Sequence, residues 1–288
     1  MMWQTTRFQI DLTQPKIMGI VNLTPDSFSD GGKLGNVPSA MQHAEQLLKD
    51  GAHILDLGAE SSRPGAPPVP LEEELARLMP VLEEAVKLNV PISVDTYKPQ
   101  VMQAALDAGA DIINDIWAFR RVDARLSSAQ VVMDHGRCGL VAMHMHRDPQ
   151  TMQLDPLPES EDVVQRVKHD LLLFCEHLAQ IPCRREADFA LKNRLLIDAG
   201  IGFGKTVAQN LSLLARQREL LELGYPLLAG WSRKSTLGAI TGIESASERI
   251  IPSVAAAVLA VERGASVVRV HDALETALAL KVWQAAHI

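Results

Sequence analysis

Short runs of branched and aliphatic residues recur along the chain, each closed by a polar or glycine-rich stretch and followed by a segment with helical spacing of apolar positions. Eight stand out: Ile17 to Asn22, Ile54 to Gly58, Ile92 to Asp95, Ile112 to Asp115, Leu140 to His144, Leu195 to Ala199, Leu227 to Trp231 and Val267 to His271. Their starts lie roughly 35 residues apart, the length of a strand plus a crossover helix. Several are apolar almost without alternation, which predicts strands covered by protein on both faces. Helices are predicted over Ala40 to Asp50, Glu72 to Leu88, Pro99 to Ala108, Glu161 to Ile181, Asn210 to Leu223, Ser247 to Arg263 and Ala273 to Ala286, with a weaker one near Asp123 to His135. Eight consecutive βα units favour an α/β fold of the (β/α)8 TIM-barrel type over an open doubly wound sheet.

The residues at which these strands stop are polar: Asn22, Asp56 with Glu60, Asp95, Asn114 with Asp115, His144, Asp198, Ser232 with Lys234, and Arg269 with His271. In a barrel they converge at one mouth, where this architecture places its active sites. One such residue alone is as readily a hydrogen-bonding strand end, but eight in register point to a site. Asp95, Asn114 and Asp198 form an acceptor-rich set that matches a heterocycle with several N–H donors. Arg233, Lys234, Arg269 and His271 follow the last two strands, where barrels often hold phosphate, and a structural ion-pair network is the competing account of them. Arg269 and His271, two apart, face the same side of their strand.

Two long loops, expected to be mobile, follow the first and second strands. NLTPDSFSDGG, Asn22 to Gly32, offers the Asn22 amide oxygen as a hard ligand suited to Mg2+, with Asp26, Phe28 and Asp30 farther out and Phe28 placed to close over a substrate. GAESSRPGAPPVP, Gly58 to Pro70, carries Ser61, Ser62 and Arg63 for phosphate or carboxylate groups. The glycine-rich DAGIGFGKT, Asp198 to Thr206, is not a P-loop, because Ala199 stands where the first glycine belongs, and it lacks the third glycine of a dinucleotide fingerprint. It leaves Asp198 to point into the barrel and Phe203 to cover something flat. His144 is expected to line the mouth, and His43, His169 and His177 to be solvated on helices.

Composition narrows the function class. Of 288 residues, 47 % are hydrophobic and 22 % charged, ordinary for a globular protein, and one barrel accounts for nearly all of residues 1–288 as a single domain. The formal net charge of -7 argues against nucleic acid or an anionic membrane surface as partner, so an anionic substrate needs the local basic cluster. Cys138, Cys175 and Cys183 are odd in number and widely spaced, which predicts packing roles in a reducing, cytoplasmic compartment. Neither a secretory signal nor a membrane-length apolar run is expected.

The strings IMGIVNLTPDSFSDGG, GAESSRPGA, PISVDTYK, IINDI, IDAGIGFGK, GWSRKS and VRVHD, in this order, resemble the bacterial dihydropteroate synthases over nearly the whole chain. The resemblance implies that Asp95, Asn114, Asp198 and Lys234 hold a pterin ring, that Met143, Phe203 and Gly230 line its slot, and that Arg269 stacks on its face. It implies further that Asn22 binds Mg2+ and that Ser62, Arg269 and His271, with Arg63 nearby, bind pyrophosphate. Phe28, Pro64, Lys234 and Ser235 would border the p-aminobenzoate site, where sulfonamides compete. Asp95, Lys234, Arg269 and His271 are the implied catalytic set. Closure of the two loops would exclude water from a carbocation-like centre. A homodimer through the late helices is implied as well. Ala199 departs from the proline common in the family, Ser62 from threonine and Leu23 from valine; none of these removes a required functional group. A folate-dependent methyltransferase of the same superfamily would share the barrel and the pterin carboxylates, but has little use for the Ser61 to Pro64 loop or for Arg269 with His271. A non-catalytic pterin-binding paralogue would not need Asn22, Lys234 and His271.

Overall fold

The computed structural model describes residues 1–24, 37–61, 63, 65–183 and 190–286. The chain opens with an antiparallel hairpin of β1 (Met2–Gln4) and β2 (Gln9–Asp11). Strands then alternate with helices: β3 (Lys16–Asn22), α1 (Val37–Lys49), β4 (Ile54–Gly58), α2 (Leu71–Ala85), β5 (Ile92–Asp95), α3 (Pro99–Asp107) and β6 (Ile112–Asp115). A small hairpin of β7 (Val122–Asp123) and β8 (Leu126–Ser127) leads into α4 (Ser128–His135), β9 (Gly139–Met143) and α5 (Val163–Gln180). The rest is α6 (Leu191–Arg194), β10 (Leu195–Asp198), α7 (Val207–Ala215), β11 (Leu227–Ala229), α8 (Ser235–Thr241), α9 (Ile250–Glu262), β12 (Ala265–Val270) and α10 (Ala273–Ala286). Eight parallel strands close in the order β10-β11-β12-β3-β4-β5-β6-β9, so the expected barrel is what the chain forms.

Where expectation and structure differ, local hydrogen bonds decide. The weak helix near Asp123 to His135 begins only at Ser128, because Ser127 caps it by accepting from the Gln130 N–H at 3.4 Å. Ala124 and Arg125, at φ 46° and 68°, turn the preceding residues into the β7–β8 hairpin instead. The helix expected over Asn210 to Leu223 starts earlier, at a capping box in which Thr206 Oγ accepts from Gln209 N and Gln209 Oε1 accepts from Thr206 N. It ends at Ala215 and gives way to a 3-10 segment, Gln217–Leu223. The N-terminal hairpin and α8 were not expected.

Strand alternation sets the height of everything inside the barrel. Met18, Ile54, Ile112, Val141, Leu196, Leu228 and Val267 form one buried inner cluster, sealed from below by Trp3, Ile10 and Leu12 of the β1–β2 hairpin. Trp3 is fully buried and its indole N–H donates to the Arg194 carbonyl at 2.7 Å. Two residues farther along each strand, the same face presents Ile20, Asp56, Asn114, Met143, Asp198, Gly230 and Arg269. On β5 the register pairs Ser93 with Ile112 and Asp95 with Asn114, so Asp95 joins the upper rung. A larger apolar layer between strands and helices, including Leu55, Leu57, Ile113, Leu140 and Ile197, supplies the main core. None of the three cysteines is in a disulfide, and Cys138 and Cys175 lie buried in that core in the packing role read from the sequence.

If the hairpin is the plug of the barrel floor, Trp3→Ala should destabilise the fold by about 3–5 kcal/mol. Urea unfolding checks this: the midpoint should fall at constant slope, and an unchanged midpoint would show that the floor closes without Trp3.

Candidate active site

The upper rung gathers charge that water no longer screens. Arg269 divides its guanidinium between two carboxylates, donating from Nε to Asp56 Oδ2 at 2.6 Å and from Nη2 to Asp95 Oδ2 at 2.7 Å. Asn114 Nδ2 donates to the same Asp56 oxygen at 3.3 Å. Across the barrel, Asp198 Oδ1 accepts from the Gly200 N–H at 2.7 Å, and a side-chain carbon at Gly230 would come within 3.9 Å of Asp198 Oδ2. The Lys234 ammonium sits 4.3 Å from the centroid of the Phe203 ring. Met143 and Phe203 pack with Ile116, Met145 and Met152 in a separate apolar cluster at the mouth. A cavity of about 220 Å³ opens beside Asp95, bounded by Glu60, Tyr97, Ile116, Trp117 and Pro149.

Desolvation tunes these groups. Loss of water raises the Asp95 carboxyl, Arg269 opposes that rise, and the negative charges of Asp56 and Asp115 add to it. Burial also raises Asp198, against the pull of the Gly200 N–H and Lys234. Lys234 is brought down to about 8 by desolvation, which Asp198 counters. Arg269 loses hydration too, yet Asp56 and Asp95 more than offset it and push its pKa upward, so it stays a cation. His271 is held down to about 3 by burial and then by Arg233, Arg269 and Arg63, so its imidazole is neutral at pH 7. Its Nδ1 lies 2.9 Å from Ser232 Oγ, which also accepts from the His271 backbone N–H at 3.1 Å. Arg233 is paired with Asp272, so the basic cluster facing the site is smaller than the sequence implied.

The structure therefore brings together Asp95, Asn114, Asp198, Arg269, Lys234, Met143, Phe203 and Gly230, with His271 just beyond β12. Arg63 is exposed on its loop, and its charge is felt at Lys234 and His271. Ser235 is exposed as the first residue of α8. Phe28, Ser62 and Pro64 lie outside the described residues. Asn22 is half-buried at the end of β3, and its side chain makes no hydrogen bond to another described residue.

Two of the strand-end residues expected at the mouth, His144 and Asp115, face the helices instead. His144 does not line the mouth: its ring is 1 % exposed, its Nε2 lies 3.1 Å from Asp170 Oδ2, and it stacks on Phe174 of α5. Met143 faces inward, so its successor must face the helices. Asp115 follows Asn114 outward for the same reason and accepts from the backbone N–H groups of Trp117 and Phe119 at 2.8 and 2.7 Å. Three contributions escaped the sequence reading. Asp56 is the shared anchor of Arg269 and Asn114. Lys98, buried, pairs with both Glu60 and Glu74 and ties the root of the Gly58 to Pro70 loop to the segment after Asp95. Lys205 donates to the carbonyls of Gly200 at 2.8 Å and Phe203 at 3.0 Å, fixing the loop that carries Asp198 and Phe203. Gly200 in that loop has φ +65°, and a side chain there would meet the His144 carbonyl at 1.8 Å, so the glycines of DAGIGFGKT serve close backbone approach.

Residues 18–271 match the model of the pterin binding enzyme family. The dihydropteroate synthase of Neisseria meningitidis serogroup B is 47 % identical, over 98 % of this chain and 96 % of its own. The dihydropteroate synthase of Burkholderia cenocepacia, solved in complex with 7,8-dihydropteroate, superposes with a TM-score of 0.85 at 46 % identity, over 99 % of this chain and 96 % of that one. That of Xanthomonas albilineans, solved with 4-aminobenzoic acid, gives a TM-score of 0.86 at 45 % identity, over 97 % of this chain and 95 % of that one. With a rung of acceptors and cations at the mouth of a closed barrel and this likeness along its full length, the chain belongs to the dihydropteroate synthases of the pterin binding enzyme family.

Proposed function

We propose that this chain condenses 6-hydroxymethyl-7,8-dihydropterin pyrophosphate with p-aminobenzoate, giving 7,8-dihydropteroate and pyrophosphate in folate biosynthesis. The observation that carries this reading is the inner rung itself, where Asp95, Asn114 and Asp198 offer acceptors one strand-end above an apolar floor, beside the charged Arg269. A pterin's N–H groups meet that need for donors, and Met143, Phe203 and Gly230 bound a slot for its flat ring. In this reading the guanidinium of Arg269 lies against the ring and reaches the diphosphate.

In the reaction the bond from the exocyclic methylene carbon to the diphosphate oxygen breaks, and a bond from that carbon to the arylamine nitrogen forms. Negative charge grows on the leaving oxygen, where Arg269, Arg63 and Ser62 are the groups to neutralise it. His271, neutral, serves as a hydrogen-bond donor to the diphosphate, with its tautomer set by the Ser232 contact. The amine is already nucleophilic, so its proton needs no strong base and leaves to water or the departing diphosphate. Lys234 and Ser235, with Phe28 and Pro64, are assigned to the carboxylate and ring of p-aminobenzoate. Mg2+ fits Asn22, a hard oxygen donor left unengaged at the mouth; among the described residues no group of three or more His, Cys, Asp or Glu side chains could hold an ion by itself, which suits a metal carried largely by substrate phosphates and waters. When bound, Mg2+ would supply charge neutralisation at the diphosphate.

The homodimer is proposed on the face of α9 and α10. Ile251 is 82 % exposed and Val282 72 %, with Leu259, Leu274 and Leu278 also exposed. Ile250, Val254, Ala255, Val258 and Ala279 line a groove beside them. A contiguous apolar surface of this kind marks an association site. No described helix is long and apolar enough to cross a membrane.

Two experiments test these readings. Purified chain, Mg2+, pterin pyrophosphate and p-aminobenzoate should yield dihydropteroate and pyrophosphate together, and Arg269→Ala and Asp95→Asn should each lower turnover by about 10²–10³-fold. Full turnover in either variant contradicts the site, and an inactive wild type contradicts the function. Sedimentation equilibrium should give twice the chain mass of 31.5 kDa, and Ile251→Asp should return the protein to that single mass; a wild-type monomer would remove the dimer.

A further inference from the structure

Asp56 has no part in the reaction as assigned above, yet it occupies the most sheltered place in the site. It is fully buried, whereas the side chains of Asp95 and Arg269 keep 14 % and 21 % of their exposure. A substrate can touch those two but not Asp56. In the closed strand order β12-β3-β4-β5-β6, its strand β4 lies two places from the strand of Arg269 and two from that of Asn114. One oxygen, Oδ2, therefore gathers donors from both sides across the barrel interior, Arg269 Nε at 2.6 Å and Asn114 Nδ2 at 3.3 Å. The other oxygen, Oδ1, is buried with no hydrogen-bond partner. A buried acceptor left unmade is costly, and a residue kept there for packing alone would be better apolar.

We propose that Asp56 is a positioning residue for the condensation: it keeps Arg269 aimed at the diphosphate when the pterin ring takes the Asp95 carboxylate away from it. The chemistry of the fork requires such a holder. With Asp56 absent, the guanidinium has one carboxylate left, Asp95, and the preferred geometry of that pair is bidentate, both nitrogens on both oxygens. Arg269 would then compete with the pterin for Asp95 and turn from the leaving group. With Asp56 present, Nε stays tethered from below while Nη2 exchanges its partner. The inference rests on the condensation reading.

The electrostatic surroundings give a signature that a packing role lacks. The charges felt at Asp95 are Arg269 of β12 and Asp56 of β4 on the inner rung, Asp115 on the outer face of β6, Glu74 of α2 and Lys234 before α8. Burial raises the Asp95 carboxyl, Arg269 lowers it, and Asp56, Asp115 and Glu74 raise it further. Removing the Asp56 charge takes away one raising influence and frees Arg269 to pair more closely, so both effects move Asp95 downward.

Asp56→Asn in the full chain is the test, assayed with pterin pyrophosphate and p-aminobenzoate. Turnover should fall roughly tenfold or more and KM for the pterin substrate should rise, as when a supporting partner of an active group is lost, while KM for p-aminobenzoate stays put. The acid limb of kcat/KM for the pterin should move to lower pH. Wild-type kinetics with an unmoved acid limb would overturn the proposal. Should Asp56→Asn fold poorly, Arg269→Ala is compared with the double variant Asp56→Asn/Arg269→Ala. The double variant should melt above Arg269→Ala, because the buried carboxylate is no longer stranded, and should be no slower; a lower melting point or a further, additive loss of turnover would contradict the coupling. An inactive wild-type chain overturns the condensation reading alone, while the melting order still decides whether Asp56 holds Arg269.

Discussion

A single guanidinium shared between two carboxylates holds the mouth of this barrel in working order. Asp56, Asp95, Asn114 and Asp198 stand on one inner rung, and burying such groups costs several kcal/mol each unless they are paired and hydrogen-bonded. Arg269 offsets most of that cost through contacts of 2.6 and 2.7 Å, and Lys234 faces Asp198 on the far side. What remains is a cavity whose acceptors still lack full satisfaction and whose cation cannot lose its proton. A flat, donor-bearing ring with an anionic tail is the complement of that state.

The height of the rung follows from alternation along the strands. The same period that stacks Met18, Ile54, Ile112, Val141, Leu196, Leu228 and Val267 over the Trp3 hairpin delivers the polar residues one rung higher, at the mouth of the barrel. Loops then trim the site. Lys205 nails down the Asp198 to Thr206 loop through backbone carbonyls, and Lys98 binds the Gly58 to Pro70 loop root to the chain beyond Asp95. Both lysines are held within the architecture, and the proposed site draws its cations from Arg269, Lys234 and Arg63 instead.

Much of this was legible in the amino-acid order. Apolar runs located all eight barrel strands to within a few residues, and their polar ends pointed at the residues the barrel brings together. The direction of His144 was equally available, since a neighbour of inward-facing Met143 must face outward, and only the grouping of strand ends by position hid it. The helix start at Thr206 was written in its capping box with Gln209. Asp56 was another matter: it sits 213 positions from Arg269, and Asp95 sits 174 positions away, so no local pattern announces that one cation serves both. The Lys98, Glu60 and Glu74 cluster was hidden for the same reason, since Lys98 lies 38 and 24 positions from its partners, and Glu74 in the acidic first turn of α2 reads as a solvated face until the fold closes over it.

The most direct measurement is a crystal structure of the chain with a non-hydrolysable pterin pyrophosphate analogue. The pterin N–H groups should lie within about 3.2 Å of Asp95, Asn114 and Asp198, with the diphosphate beside Arg269 and His271. A ring lodged instead in the side cavity between Tyr97 and Trp117, leaving Arg269 still bound to Asp95, would contradict the assignment of the inner rung as the pterin site.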